Sequence, residues 1–416
     1  MTHSLGIENA LHVGFSEPIR DAIWGHVYLT PELKAITRCV PFMRMHRIAQ
    51  LGPAGLVYPG ATHTRAAHSI GVYHITRRLL NKLSKCNVSD YITFTGVRSM
   101  LCAALLHDVG HFPYAHSLKQ LPLQEHESLS ADIIRTGEMR ALIENAGGDA
   151  DMAADIVDCS VSTSLPEVLF YRKLLSGCLD PDKLDYLNRD AHYCGVPYGV
   201  QDLDFVLSML RPNPQRGVDI EAQGITGVES LLFAKYLMYR SVYWHPVVRS
   251  ADAMIKKALF AGLKDKIIDA NELYRLDDAG LFALLQERSD DYPLFKLGNK
   301  VKCAELYVKI NELTHEYVEK LNLSSMQAIS EEENSLSQIY SGLTGTKISS
   351  DQVIIDVPDP ISFETNLFVL GEDCFFDASS SVFTKKTVSS FKNTLRKVRV
   401  FVDPCIAGEI RSVFEH

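Results

Sequence analysis

No part of the chain approaches the roughly 18 consecutive apolar residues that a membrane-spanning helix needs, and "MTHSLGIENALHVGF" at the start has neither a basic flank nor a long apolar stretch. A membrane span and a secretory signal are therefore not expected, which points to a cytoplasmic protein. The nine cysteines form no CxxC pair, and several lie inside apolar helical stretches, such as Cys102 in "MLCAALL". That pattern excludes a disulfide framework and a cysteine-ligated zinc, and fits reduced, buried thiols. Excess positive charge is also missing. A net charge of −9 argues against broad affinity for nucleic acid or anionic membrane, leaving nucleic acid a disfavoured partner reachable only through a local basic cleft. Internal repeats, low-complexity tracts and heptads are absent, so any homo-oligomer, dimer or tetramer, is expected to form through broad apolar faces.

What is present is an ordinary globular composition, 46% hydrophobic and 22% charged over 416 residues, enough for a large core. Helical patterning dominates the first three quarters. "HTRAAHSIGVYHITRRLLNKL" (63–83) repeats apolar residues at helical spacing through Ala67, Ile70, Ile75, Leu79 and Leu83. "TGVRSMLCAALLHDVGH" (95–111) is apolar nearly all round, which predicts a central helix ending near Gly110 and Pro113. Residues 230–263 predict one or two helices, with Pro246 a start, kink or break. Residues 211–225 read as a connector or hairpin, and 324–350 as a loop-containing transition. Strand signals are confined to 25–30, 351–359, 365–371 and 396–404. The predicted class is mainly α, a helical core with a smaller C-terminal α+β region.

Chemistry concentrates in "LLHDVGHFPYAH" (105–116). Each buried polar group left without a partner costs about 1–3 kcal/mol, so three histidines and an aspartate at the end of an apolar helix must satisfy one another or hold something. His68, the His107-Asp108 pair, His126 in "QEHESLS" and the stretch "LDPDKLDYLNRDAHYCG" (179–195) extend the concentration. Imidazole and carboxylate together suit Mn, Fe, Zn, Ni or Co and leave positions open for water and substrate. Adjacent helical residues point about 100° apart, so His107 and Asp108 can share an ion only where the helix ends, at Gly110. An isolated His-Asp dipeptide would instead be a helix cap and a turn.

The order of these elements and their flanks resembles the HD-domain phosphohydrolases, and within them the SAMHD1-like deoxynucleoside triphosphate triphosphohydrolases. The resemblance starts at "DAIWGHVYL" (21–29), runs through "RIAQLGPAGLVYPGATHTRAAHSIGV" (47–72), "LLHDVGHFPYAH" and "EHESLS", and ends with "LDPDKLDYLNRDAHYCGV" (179–196). It covers roughly residues 15–265 and implies an HD-domain helical core. It divides the chain into an N-terminal segment (1–46), the metal-dependent core (47–210), a helical continuation that completes the cleft (211–323) and a C-terminal α+β region (324–416), the oligomerisation candidate. It makes His68, His107, Asp108 and Asp182 the ligands of one divalent transition metal, with Asp180 the near neighbour of the last. It implies that His111, His116 and His126 surround the α-phosphate and leaving oxygen, with Glu127 orienting the His126 ring or raising its basicity. Arg65, Lys183, Tyr186 and Lys235 would bind the phosphates, with Mg accompanying the triphosphate. Gln50 and Asp190 would hold the sugar 3′-hydroxyl, and Tyr243 would pack under the deoxyribose. His74 and His192 are expected to be structural.

The implied reaction is attack of a metal-activated water on the α-phosphorus of a deoxynucleoside triphosphate, giving deoxynucleoside and inorganic triphosphate. His116 or His126 would protonate the departing oxygen. Two departures stand out. Where regulated relatives read a guanine edge, this chain has Cys39, Met43 and His46, so activation by GTP or dGTP in the family's manner is not expected. The segment between His116 and His126 is also short. The competing expectations are phosphodiester or phosphomonoester hydrolysis of another nucleotide or nucleic-acid end, and a nucleotide sensor without turnover.

Overall fold

The computed structural model describes residues 2–86, 88–314, 316 and 320–414. Helices form where the sequence caps them. Thr64 accepts from the Ala67 amide to open helix Arg65–Leu83, and Thr93 accepts from Gly96 to open helix Phe94–Leu106. Every residue from Gly96 to Leu106 is buried, so the all-round apolar stretch is the central helix of the protein. Arg65–Leu83 and helix Ala150–Val157 pack on it. Asp180 caps helix Pro181–Cys194, Pro181 sits in its first turn, and Gly195 ends it in the left-handed conformation at φ 66°. That helix lies along Arg65–Leu83, which brings residues 68 and 182 face to face.

Pro246 is a start. Helix Ile225–Met238 runs into one wider turn, Tyr239–Tyr243, and Pro246–Lys264 begins afresh with Pro246 in its first turn. The expected transition at 324–350 is different: residues Met326–Thr344 form a 19-residue helix. Its polar composition hides a buried stripe of Met326, Ile329, Glu333, Ser337 and Tyr340 at helical spacing. Glu333 belongs to the stripe because Lys257 lies 2.5 Å from it and the Ile355 amide donates to it at 2.9 Å.

The sheets are small. β1 (Glu17–Asp21) and β2 (Gly25–Leu29) form an antiparallel hairpin. β3 (Leu210–Asn213) and β4 (Gly217–Glu221) form a second, in the segment expected to be a connector or hairpin. β5 (Val308–Thr314), β6 (Val353–Asp356) and β9 (Lys397–Val402) make a three-stranded sheet in the order β5-β9-β6. β7 (Phe368–Leu370) pairs in parallel with β4 and antiparallel with β8 (Cys374–Phe375), so the C-terminal part of the chain is stitched onto the helical body. The fold is mainly α with strands concentrated toward the C-terminus. Among the described residues no helix is long and apolar enough to cross a membrane. All nine cysteines are unpaired, with Cys39, Cys102 and Cys178 buried and Cys159, Cys303 and Cys405 exposed.

Candidate metal centre and cleft

Helix Phe94–Leu106 gives way at His107, and a tight turn follows, with the His111 amide donating to Asp108 O at 2.9 Å. Gly110 permits this. A Cβ there would lie 2.4 Å from Ser130 N and 2.5 Å from His126 O, so only glycine lets helix His126–Ile134 come this close. The Ser130 hydroxyl locks the contact, accepting from Gly110 N at 2.8 Å and donating to His107 O at 2.7 Å. His107 Nδ1 donates to Ala104 O at 2.9 Å, which turns Nε2 into the cleft, buried and without a partner.

His68, His107 and Asp182 bring donor atoms within 4.8 Å of one another there, and Asp108 lies beside His107. His68 Nε2 lies 2.9 Å from Asp182 Oδ1, and His107 Nε2 lies 4.0 Å from that oxygen and 3.5 Å from Asp108 Oδ1. With ligand bonds of about 2.1 Å, neighbouring donors around one ion stand about 3 Å apart and opposite donors about 4.2 Å. The spacings fall in that range, and the orphaned Nε2 of His107 is the atom a cation would satisfy. Burial pulls the His68 imidazole toward its neutral form, but its hydrogen bonds to Asp182 and Asp185 prevail and hold its pKa at about 10. In the metal-free protein a proton thus joins His68 to Asp182. The donor set fits one divalent metal.

The support behind this quartet escaped the sequence reading. His68 Nδ1 lies 2.8 Å from Asp185 Oδ2, the carboxylate–histidine arrangement that orients metal ligands. Asp185 also accepts from Trp24 Nε1 at 2.5 Å and from Arg189 Nε and one terminal nitrogen at 2.8 and 2.9 Å, while Arg189 reaches Asp21 at 2.9 Å. The spacing of Asp182, Asp185 and Arg189 was a readable signal. It puts the acids three apart and the arginine four beyond on one helix.

A cavity of about 1060 Å³ opens over the centre. Thirteen of the fifteen candidate residues line it: Gln50, Arg65, His68, His107, Asp108, His116, His126, Glu127, Asp182, Tyr186, Asp190, Lys235 and Tyr243. Arg65 donates to Asp108 Oδ2 at 2.7 Å and keeps its Nε buried and unpartnered. Gln50 Oε1 is likewise buried and unpartnered. His126 Nδ1 lies 3.1 Å from Glu127. At the far wall the Tyr243 hydroxyl donates to Asp190 Oδ2 at 2.7 Å, and Tyr186 meets Tyr243 edge to face at 6.4 Å. His63, which the sequence reading passed over, lies 2.8 Å from Asp190 Oδ1 and stacks on Tyr193.

Two candidates sit elsewhere. His111 is fully buried behind the wall, its ring stacked on His126 at 3.9 Å and both of its nitrogens unpartnered. Burial above all pushes His111 and His116 well below the ordinary imidazole range and His126 down to about 3, so the three rings are neutral in the metal-free protein. Lys183 turns away from the cavity, donating to Asp180 Oδ2 at 2.6 Å and to Gly177 O at 3.0 Å. Asp180, the near neighbour of the last ligand, is thus the helix cap and the Lys183 partner. His74 stacks against Trp24, and His192 meets Tyr193 edge to face. Cys39 is buried at the start of helix Val40–Met45, with Met43 and His46 exposed.

Residues 65–158 match the HD domain, and residues 212–393 match the HD associated region. Over 367 residues, 85% of the chain, it is 30% identical to the uncharacterized protein MJ1154 of Methanocaldococcus jannaschii and covers 72% of it. Over 321 residues, 72% of the chain, it is 26% identical to the deoxynucleoside triphosphate triphosphohydrolase SAMHD1 homolog of Dictyostelium discoideum, spanning 60% of that protein. The crystal structure of a hypothetical protein from Aquifex aeolicus superposes with a TM-score of 0.73 at 26% identity, covering 96% of this chain and 99% of that one.

Proposed function

We propose that this chain, which belongs to the SAMHD1-like family of HD-domain phosphohydrolases, hydrolyses deoxynucleoside triphosphates at the α-phosphorus to deoxynucleoside and inorganic triphosphate. The observation that carries the reading is the unpartnered His107 Nε2 facing His68, Asp108 and Asp182 inside a cleft that also holds Arg65 and two further histidines. A divalent metal held by those four residues supplies a Lewis acid and a water of lowered pKa.

The chain's own residues do the rest. Arg65, fixed by Asp108, leaves its Nε and the remaining guanidinium edge for phosphate oxygens. His126, backed by Glu127, is the proton donor to the departing 5′-oxygen, because the charge of a bound phosphate raises an imidazole that burial keeps neutral. His116 and His111 fix its ring. Tyr243 and Asp190 close the sugar end, their mutual hydrogen bond setting how much room a 2′-hydroxyl would find.

One observation favours a second reading, phosphomonoester or phosphodiester hydrolysis. Both lysines expected at the terminal phosphates already have carboxylate partners. Product analysis separates the two. Protein reconstituted in turn with Mn, Co, Ni, Fe and Mg is incubated with each deoxynucleoside triphosphate, singly and in pairs. Deoxynucleoside plus triphosphate supports the proposal, whereas monophosphate plus pyrophosphate, or turnover of diesters alone, moves the chain to the second reading.

A further inference from the structure

Asp359, Pro360, Ile361, Ser362 and Glu364, in the chain between β6 and β7, line the cleft. This segment is held at many points. Arg249 grips Asp356 at 2.5 and 2.9 Å, Gln120 donates to Val357 O and Asp359, and Arg396 donates to Pro358 O at 2.8 Å. Cys178 donates to Glu364 O, and Ile361, Phe363 and Leu367 are buried in the main core. Within that frame Glu364 presents its carboxylate to Lys235. Its side chain is 36% exposed and reaches into the cavity.

A single oxygen, Glu364 Oε2, lies 3.3 Å from Lys235 Nζ and 3.7 Å from Lys183 Nζ. Both lysines are nearly buried, at 6% and 13% side-chain exposure, and Lys183 is also bonded to Asp180. Two ammonium groups thus face two carboxylates, and this end of the cleft carries no surplus positive charge. A phosphate chain extending from the metal centre toward Lys235 meets a site whose cations are taken.

We infer that Glu364 is a specificity-determining residue, an internal counter-anion that the terminal phosphates of a substrate must displace from Lys235. The inference rests on the reading of this cleft as a phosphohydrolase site. The carboxylate opposes polyphosphate, which extends beyond the metal ligands, more than it opposes a single phosphate. It keeps the lysines paired when the cleft is empty, sparing two buried charges the cost of isolation. The swap of carboxylate for phosphate is an exchange of one charge-assisted partner for another, so the segment's backbone need not move.

The test is calorimetric titration of metal-loaded protein with inorganic tripolyphosphate and, separately, with orthophosphate. Glu364→Gln keeps the shape and removes the charge. It should tighten tripolyphosphate binding about tenfold, the scale of one partly buried charge pair, while orthophosphate binding stays within about twofold. An unchanged ratio of the two affinities, or weaker tripolyphosphate binding because the lysines lose their support, overturns the inference. Glu364→Asp, which retracts the carboxylate by one methylene, should give a smaller shift in the same direction and decides the matter if the glutamine variant does not fold. The ratio is read without turnover. A wild-type chain that releases no deoxynucleoside therefore refutes the reaction proposed above, whereas an unshifted ratio refutes the role of Glu364 alone.

Discussion

Asp185 is fully buried, does not itself line the cleft, and should nevertheless control metal binding. Its Oδ2 fixes His68 Nδ1 at 2.8 Å, while its two oxygens together take Trp24 Nε1 and two nitrogens of Arg189. In Asp185→Asn the volume is kept, but one oxygen becomes a donor and meets a donor, and the His68 ring loses its charged partner. Loss of such a support lowers metal affinity by about 10- to 100-fold, or about 1.4–2.7 kcal/mol. A separate cost falls on the fold. Arg189, itself fully buried, is left with Asp21 at 2.9 Å as its remaining anion, and breaking a buried pair from one side costs about 3–5 kcal/mol. Competition against a chromophoric chelator measures the first effect, and urea unfolding of chelator-treated protein measures the second. Wild-type metal affinity in a folded Asp185→Asn protein would refute the reasoning, whatever its stability.

Three further outcomes are expected. Gly71→Ala places a Cβ 1.8 Å from Asp185 Oδ1 and 2.4 Å from an Arg189 nitrogen, so it should destabilise by roughly 3 kcal/mol, although glycine to alanine inside a helix ordinarily stabilises by about 1 kcal/mol; a raised melting temperature would contradict the crowding. His107→Ala removes the unpartnered donor and should abolish both bound metal, read by elemental analysis, and hydrolysis. Asp252 is buried, and burial, only partly offset by Arg249, raises its carboxyl to about 6. A raised acid contributes stability below its unfolded pKa of about 3.9 and loses it as pH rises through 6, so Asp252→Asn should gain up to about 3 kcal/mol over wild type above pH 6 and little below pH 4 in urea titrations.

The parts of this site that were legible in the sequence are those whose chemistry is expensive to bury. His107 and Asp108 stand out at the end of an apolar helix, and the all-round apolar run around Cys102 declares its own burial, whereas the choice of Asp182 among the acids of 179–195 rests on the family resemblance. The supporting contacts were not legible, because they depend on the packing of distant elements. Trp24 and Asp21 reach Asp185 and Arg189 from a hairpin more than 150 residues away in sequence. Lys183 shows a competition between local and distant partners: standing three residues after the cap Asp180, it is captured within its own helix rather than by the cleft. The helix at Met326–Thr344 was hidden for a related reason, since a buried glutamate satisfied by Lys257 reads as polar surface until its partner is known. Glu364 lines the cavity through contacts of its segment with Cys178, Arg249, Gln120 and Arg396, most of them distant from it in sequence.

The most direct test of the proposed reaction follows the oxygen. Metal-loaded protein is incubated with a deoxynucleoside triphosphate in isotopically heavy water, and the products are separated and weighed by mass spectrometry. Attack on the α-phosphorus with departure of the 5′-oxygen predicts one heavy oxygen in inorganic triphosphate and none in the deoxynucleoside. Heavy oxygen in orthophosphate, in a nucleoside monophosphate or in the deoxynucleoside itself would contradict it.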